Sequence, residues 1–147
     1  MDEPSASATD YLQSSSNSKK ETFTFQNTVL TTETINSVTI HYYAKRYSSS
    51  KYKIQPMIRV GSQNYLGSVI DLTSGYQYYS GTFTLNPSTG QAWTAAQVDA
   101  LEAGMSTYSA SGGAYIAQVY AVVDYNPTCV CHQLKFVIIK TIIAMDK

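Results

Sequence analysis

Residues 129–132 read Cys-Val-Cys-His, the densest group of potential metal or haem ligands in the chain. Attachment of c-type haem requires two residues between the cysteines and a histidine directly after the second, and here a single residue separates Cys129 from Cys131. A zinc site needs four ligands, and His41 is the one further imidazole that can join Cys129, Cys131 and His132. The group therefore reads as two thiols and a surface imidazole near the chain end, with an intermolecular disulfide as its remaining role. Neither metal nor cofactor is expected. A serine or cysteine nucleophile needs a base beside it, but the histidines are His41, on the polar side of a strand, and His132, and no Gly-x-Ser-x-Gly elbow occurs. Asp71, Asp99, Glu102 and Asp124 are among the carboxylates of the folded body, and a glycosidase demands two of them at a defined separation. Asp99 and Glu102 read as solvated residues of a helix. Asp2, Glu3 and Asp10 read as a solvated acidic arm rather than a calcium site, and Ser-Ala-Ser-Gly-Gly-Ala at 109–114 lacks the following helix and lysine of a phosphate cradle. The expectation is a protein that is not an enzyme, a small carboxylate-based hydrolase being the alternative in that class.

The tyrosines offer a different chemistry. Tyr76 and Tyr78 fall on one side of a strand and Tyr79 on the other, with more at positions 42, 43, 47, 52, 65, 115 and 120. Flat rings on an exposed sheet stack on sugar faces, and amide or hydroxyl neighbours complete a carbohydrate platform. The competing reading is that these rings are strand-formers filling a core and lining its edges.

The elements that must position such rings are legible from composition and periodicity. Ten basic and ten acidic residues leave no net field for nucleic acid, an anionic membrane or acidic substrates, so no nucleic-acid partner is expected. A chain of 147 residues suits one domain with a real core. Abundant Tyr, Ser and Thr with few Lys or Glu favour strands over helical bundles. Val38, Ile40, Tyr42 and Ala44 alternate with Ser37, Thr39, His41 and Lys45, as a half-buried strand requires. Tyr52, Ile54, Pro56, Ile58 and Val60 stay in phase after the polar turn at 47–50, which predicts a hairpin, with Pro56 marking an edge or a bulge. Turn signals recur every 8 to 12 residues or so, as in sandwiches and barrels. In the last strong strand Tyr115, Ala117, Val119, Ala121, Val123 and Tyr125 form an apolar face opposite Gln118 and Asp124.

Thr94 and Gln97 have capping-box spacing, so a helix is expected from Ala95 to Ala103. Trp93 stands where a hydrophobic staple would sit, Val98 and Leu101 share a face, and Gly104 suits the left-handed residue that stops a helix. Asn86 and Pro87 leave the preceding strand, and Ser88, Thr89 and Gly90 supply turn chemistry. This stretch, with its Asn-Pro-x-Thr-Gly turn, Trp-Thr pair, short helix ending in Gly and later strand carrying Tyr120, resembles a recurring domain of phage and environmental microbial surface or appendage proteins. Asn86, Pro87, Thr89, Gly90, Trp93, Thr94, Leu101, Gly104 and Tyr120 carry the resemblance, which spans roughly residues 10–125. It implies a jelly-roll-like sandwich with a structural or adhesive role, and its motif residues are markers of fold rather than of catalysis.

The expectation is thus an all-β antiparallel sandwich of about eight strands with one short crossover helix, occupying 21–127 and preceded by a flexible polar arm at 1–20 that can contribute a short extended piece around Tyr11 and Leu12. The start of the chain shows neither the basic residues nor the apolar run of a secretory signal. Residues 128–147 change character, and their Ile/Val run is too short to span a bilayer. They read as a strand added to the sheet, as a tail pairing with a neighbouring subunit through Phe136, Val137, Ile138 and Ile139, or as a poorly folded, membrane-associating or non-native end. The function expected is that of a structural or adhesive module of a virion, appendage or cell surface, placed outside the cell. Its possible partners are surface glycans, further copies of itself or neighbouring domains.

Overall fold

Val38, Ile40, Tyr42 and Ala44 are fully buried while Ser37, Thr39, His41 and Lys45 between them are only half-buried, so the alternation in this segment does mark one face turned to a core. The computed structural model describes residues 12–14, 18–25, 27–28, 30–47, 52–108, 113–127 and 137–138. Among them run β1 (Leu12–Ser14), β2 (Lys20–Thr24), β3 (Thr34–Arg46), β4 (Lys53–Val60), β5 (Gln63–Leu66), β6 (Ile70–Asp71), β7 (Gln77–Phe83), α1 (Ala95–Ala100), β8 (Glu102–Thr107), β9 (Ala114–Asn126) and β10 (Val137–Ile138).

The strands form two antiparallel sheets. The first has the order β1-β9-β3-β7 with β10 also on β9, and the second the order β2-β8-β4-β5 with β6 also on β4. The pairings are nested: β1 with β9, β2 with β8, β3 with β7, and β4 with β5. The chain is therefore one long hairpin whose two arms pair from end to end, successive steps falling in alternate sheets. Val38, Ile40, Val119, Ala121 and Val123 from the first sheet share one core with Ile54, Ile58, Ala103 and Met105 from the second, and Trp93, Val98 and Leu101 belong to the same cluster. This is an all-β sandwich.

One contact joins the layers, and a second closes a ladder within the second sheet. The Tyr42 hydroxyl crosses from the first sheet and donates to the Gly104 carbonyl at 2.5 Å. Gly104 itself lies where a Cβ would collide with the Glu21 carbonyl of β2, so this ladder closes only around a glycine.

Several expectations are corrected by this architecture. β3 and β4 make no hairpin: β3 lies between β9 and β7, and β4 lies in the other sheet. Alternation reports which face is buried but not which strand is the partner. Pro56 is interior rather than at an edge, with β8 on one side of β4 and, on the other, the gap between the β5 and β6 pairings. Its carbonyl accepts from Gly67 N–H at 2.7 Å, and its ring packs where Gly81 of β7 leaves no Cβ. The helix begins at Ala95 with both halves of the capping box made, Thr94 Oγ1 accepting from Gln97 N–H and Gln97 Oε1 from Thr94 N–H. It ends at Ala100, not Ala103, because Leu101 turns extended and the chain enters β8, whose Ala103 and Met105 face the core. Gly104 is accordingly a strand residue and not a helix stop.

Leu12–Ser14, within the stretch read as an arm, pairs with β9, and in the tail Val137 and Ile138 pair with Val122 and Ala121. Phe136, Ile139, Cys129, Cys131, His132, Asp2, Glu3 and Asp10 lie outside the described residues.

Candidate functional site

The outer face of the first sheet is built by the residues of β3 that alternate with its core residues. Register places Tyr78, Ser80 and Thr82 of β7 beside Tyr43, His41 and Thr39, and places Gln118, Tyr120 and Val122 of β9 on their other side. Lys45 continues the row and is paired with Tyr115. Simple alternation puts Tyr115 on the same side as Val119, and therefore in the core. Between Tyr43 and Ala44 the partner register skips from Gln118 to Ile116, so Ala117 is an extra residue in β9. This β-bulge re-aims the strand before it: Ile116 takes the inward position, and half-buried Tyr115 turns out beside Lys45. The apolar face expected from Tyr115 to Tyr125 is thus broken at its first residue.

The rings on this face touch in sequence. Tyr43 lies against Tyr78, with centroids 4.7 Å apart, and stacks on Tyr76 at 5.1 Å. The Lys45 ammonium sits 4.6 Å from the centroid of Tyr76 and 5.4 Å from that of Tyr115, within the range of cation–π attraction. Tyr47 meets Tyr115 edge-on at 5.3 Å. The result is a continuous run, Tyr78–Tyr43–Tyr76–Lys45–Tyr115–Tyr47, whose end members Tyr78 and Tyr47 are 60% and 50% exposed. His41 stacks nearly parallel on Tyr120 at 4.7 Å, and burial holds its pKa below the ordinary value.

Of the three tyrosines singled out from sequence, Tyr76 and Tyr78 belong to this run, whereas Tyr79 faces inward. It sits opposite Tyr42, packs on the core, and its hydroxyl bonds Thr73 N–H and Oγ1, each at 2.9 Å. Tyr43, Lys45, Tyr47 and Tyr115 were not among the sequence-based site residues. The parity of Tyr43 and Lys45 with His41 is readable in the sequence, but the bulge that turns Tyr115 outward is not.

In the conspicuous crossover from Asn86 to Leu101 most polar groups bond within the fold, the buried Asn86 Nδ2 being without a partner among the described residues. Asn86 is fully buried, its Oδ1 accepts from Ser88 N–H, and its carbonyl accepts from Thr89 and Gly90 N–H, with Gly90 at a φ of 69°. Half-buried Pro87 follows it in the turn. The Trp93 indole is 3% exposed and donates to the Phe83 carbonyl at 3.0 Å.

The carboxylates also hold structure. Asp99 accepts from Thr28 N–H, Glu102 accepts from the Thr22 hydroxyl and pairs with Arg59, Asp71 pairs with Lys53, and Asp124 lies 3.5 Å from the Asn36 amide. Glu102 is a strand residue of β8 rather than part of the helix. At the open side of the sandwich, β5 and β7 flank a shallow groove of about 770 Å³ lined by Tyr65, Leu66, Phe83 and Pro87 among others. Among the described residues no helix is long and apolar enough to cross a membrane. Comparison of the chain with protein-family models, curated proteins and solved structures returned no match.

Proposed function

We propose that this protein is a non-catalytic structural or adhesive module of a virion, appendage or cell surface, working by surface contact outside the cell. The observation that carries the reading is the run of aromatic rings on the outer face of the first sheet, with Tyr78 60% exposed. Rings set on a rigid sheet lose little conformational freedom on contact, so they suit a surface whose role is to bind. The nested strand pairing supports a jelly roll, the arrangement implied by the sequence resemblance over roughly residues 10–125.

The ligand class such a face suits is carbohydrate. Tyr78 offers a flat ring, Ser80 offers a hydroxyl two residues along the same strand, and the exposed Gln13, paired with Tyr115 at the opposite rim of the sheet, offers an amide at the far end of the run. A glycan array read with the intact protein and with a Tyr43→Ser/Tyr78→Ser variant tests this directly. Binding that disappears in the variant while its melting temperature stays within a few degrees is the expected outcome. Binding that survives the double substitution rejects this face as the contact surface.

A further inference from the structure

We propose that the ligand of the aromatic face is an acidic sugar, a pyranose bearing a carboxylate, with its ring on Tyr78 and Tyr43 and its carboxylate at the Lys45 ammonium. The inference rests on the contact role given to that face and specifies the ligand class.

The charge distribution argues for an anion. Lys45 and Asp124 are the formally charged residues that register places on the outer face of the first sheet among the described residues. Asp124 pairs in register with Ser37, eight residues along β3 from Lys45, a span of roughly 25 Å. That is more than twice the screening length of about 8–10 Å in physiological salt, so Asp124 does not neutralise Lys45. Among the described residues, the ion pairs join Lys53 to Asp71 and Arg59 to Glu102, and neither involves Lys45. Burial of His41, on the same row, lowers its pKa and disfavours a second positive charge there. Lys45 is thus a half-buried cation held between two tyrosine rings, with no carboxylate paired to it among the described residues, and a partly desolvated charge favours an opposite charge brought by a ligand.

The geometry argues for a sugar rather than a bare anion. Lys45 lies two residues along β3 from Tyr43, about 7 Å away, and Tyr43 is in contact with Tyr78. A ring lying on Tyr78 and Tyr43 can therefore direct a ring carboxylate toward the ammonium. The Ala117 bulge brings Tyr115 to the same cation as Tyr76, so the cation is flanked by two aromatic rings.

Affinity measurements on the full chain with polygalacturonate, the same polymer fully methyl-esterified, polysialic acid and polyglutamate separate the possibilities. The expected result is binding to polygalacturonate, to polysialic acid or to both that weakens as salt rises. The methyl ester and polyglutamate should bind at least tenfold more weakly, with a loss of similar size for Lys45→Met and recovery in Lys45→Arg. Equal affinity for polygalacturonate and its ester, or a Lys45→Met variant that binds as well as the parent, overturns the acidic-sugar assignment. Tyr78-dependent binding of neutral glycans in the same experiment then leaves the contact role of the face standing. Polyglutamate bound as tightly as the acidic polysaccharides overturns the proposal in favour of an acidic peptide, and absence of binding to both acidic polysaccharides overturns it outright.

Discussion

Tyr42 and Tyr43 are adjacent in β3 and occupy opposite environments. Tyr42 buries its whole ring and gives its hydroxyl to a carbonyl of the opposing sheet, and burial drives its ionisation far above the ordinary range, opposed in part by a backbone hydrogen bond from Met57. Tyr43 turns outward, into a run of rings that ends at exposed Tyr78 and Tyr47. The same division separates Trp93, whose indole is sealed and hydrogen-bonded within the fold, from Tyr115, which a bulge turns out of the core. Inward aromatics have a protein partner for each polar atom named here, and their loss falls on stability. Outward ones meet one another, a lysine and solvent, and under the proposed contact role their loss is expected to fall on recognition.

The largest effect expected from this division is at Trp93. Truncation to alanine empties a buried site next to α1, removes the donor to the Phe83 carbonyl, and is expected to cost about 3–5 kcal/mol of stability by chemical denaturation. Any ligand affinity measured well below the melting transition should be unchanged. Unaltered melting combined with lost binding would reverse the assignment and make the crossover a site. Tyr42→Phe comes next. It keeps the ring and deprives the Gly104 carbonyl of its hydroxyl donor, with an expected loss of about 1–3 kcal/mol. A variant as stable as the parent would show that the inter-sheet hydrogen bond contributes nothing net.

His41 lies between the two classes, outward but half-buried against Tyr120. Its pKa is lowered by burial, so the unfolded chain takes up a proton at a higher pH than the folded one. The stability contributed by neutral His41 is complete above its ordinary value of 6.5 and declines as pH falls from there through the lowered value. Melting curves between pH 8 and pH 5 are expected to fall more steeply for the parent than for His41→Gln. Parallel pH profiles would mean that the imidazole is not desolvated.

These assignments were unequally legible. The alternation of β3 and the Thr94/Gln97 capping box are local patterns, and local physics carries them into the fold intact. Non-local relations are not written in the period of a strand. β3 and β4 each turn alternate residues to the core, with Met57 of β4 buried as well on the other face, and such alternation is as true of two strands in different sheets as of a hairpin. Gly104 stands where a helix stop would suit it, yet the requirement it meets is the approach of the Glu21 carbonyl from β2, 83 residues earlier in the sequence. Tyr115 is in phase with Val119 in the sequence and out of phase in space, because Ala117 adds a residue that β3 does not match. Of the candidate face, Tyr76 and Tyr78 were within reach of sequence reasoning, and Tyr115 was hidden behind the bulge.

The smallest stability effect is expected at Tyr78, and it is the most informative against Trp93. Tyr78 sits on β7, an edge strand of the first sheet, with 60% of its surface in solvent. Its main support is the cross-strand contact with Tyr43, and pairs of this kind contribute about 0.2–1 kcal/mol. Serine keeps a side chain tolerated on an exposed strand face, so Tyr78→Ser should unfold within about 1 kcal/mol of the parent while losing most of the binding assigned to the face. Loss of several kcal/mol would place Tyr78 with the interior aromatics instead, because a ring that is mostly in water has too little buried area to account for such a cost. With Trp93→Ala damaging stability and sparing affinity, and Tyr78→Ser doing the reverse, the two faces of the first sheet are separated by two measurements on the same pair of proteins.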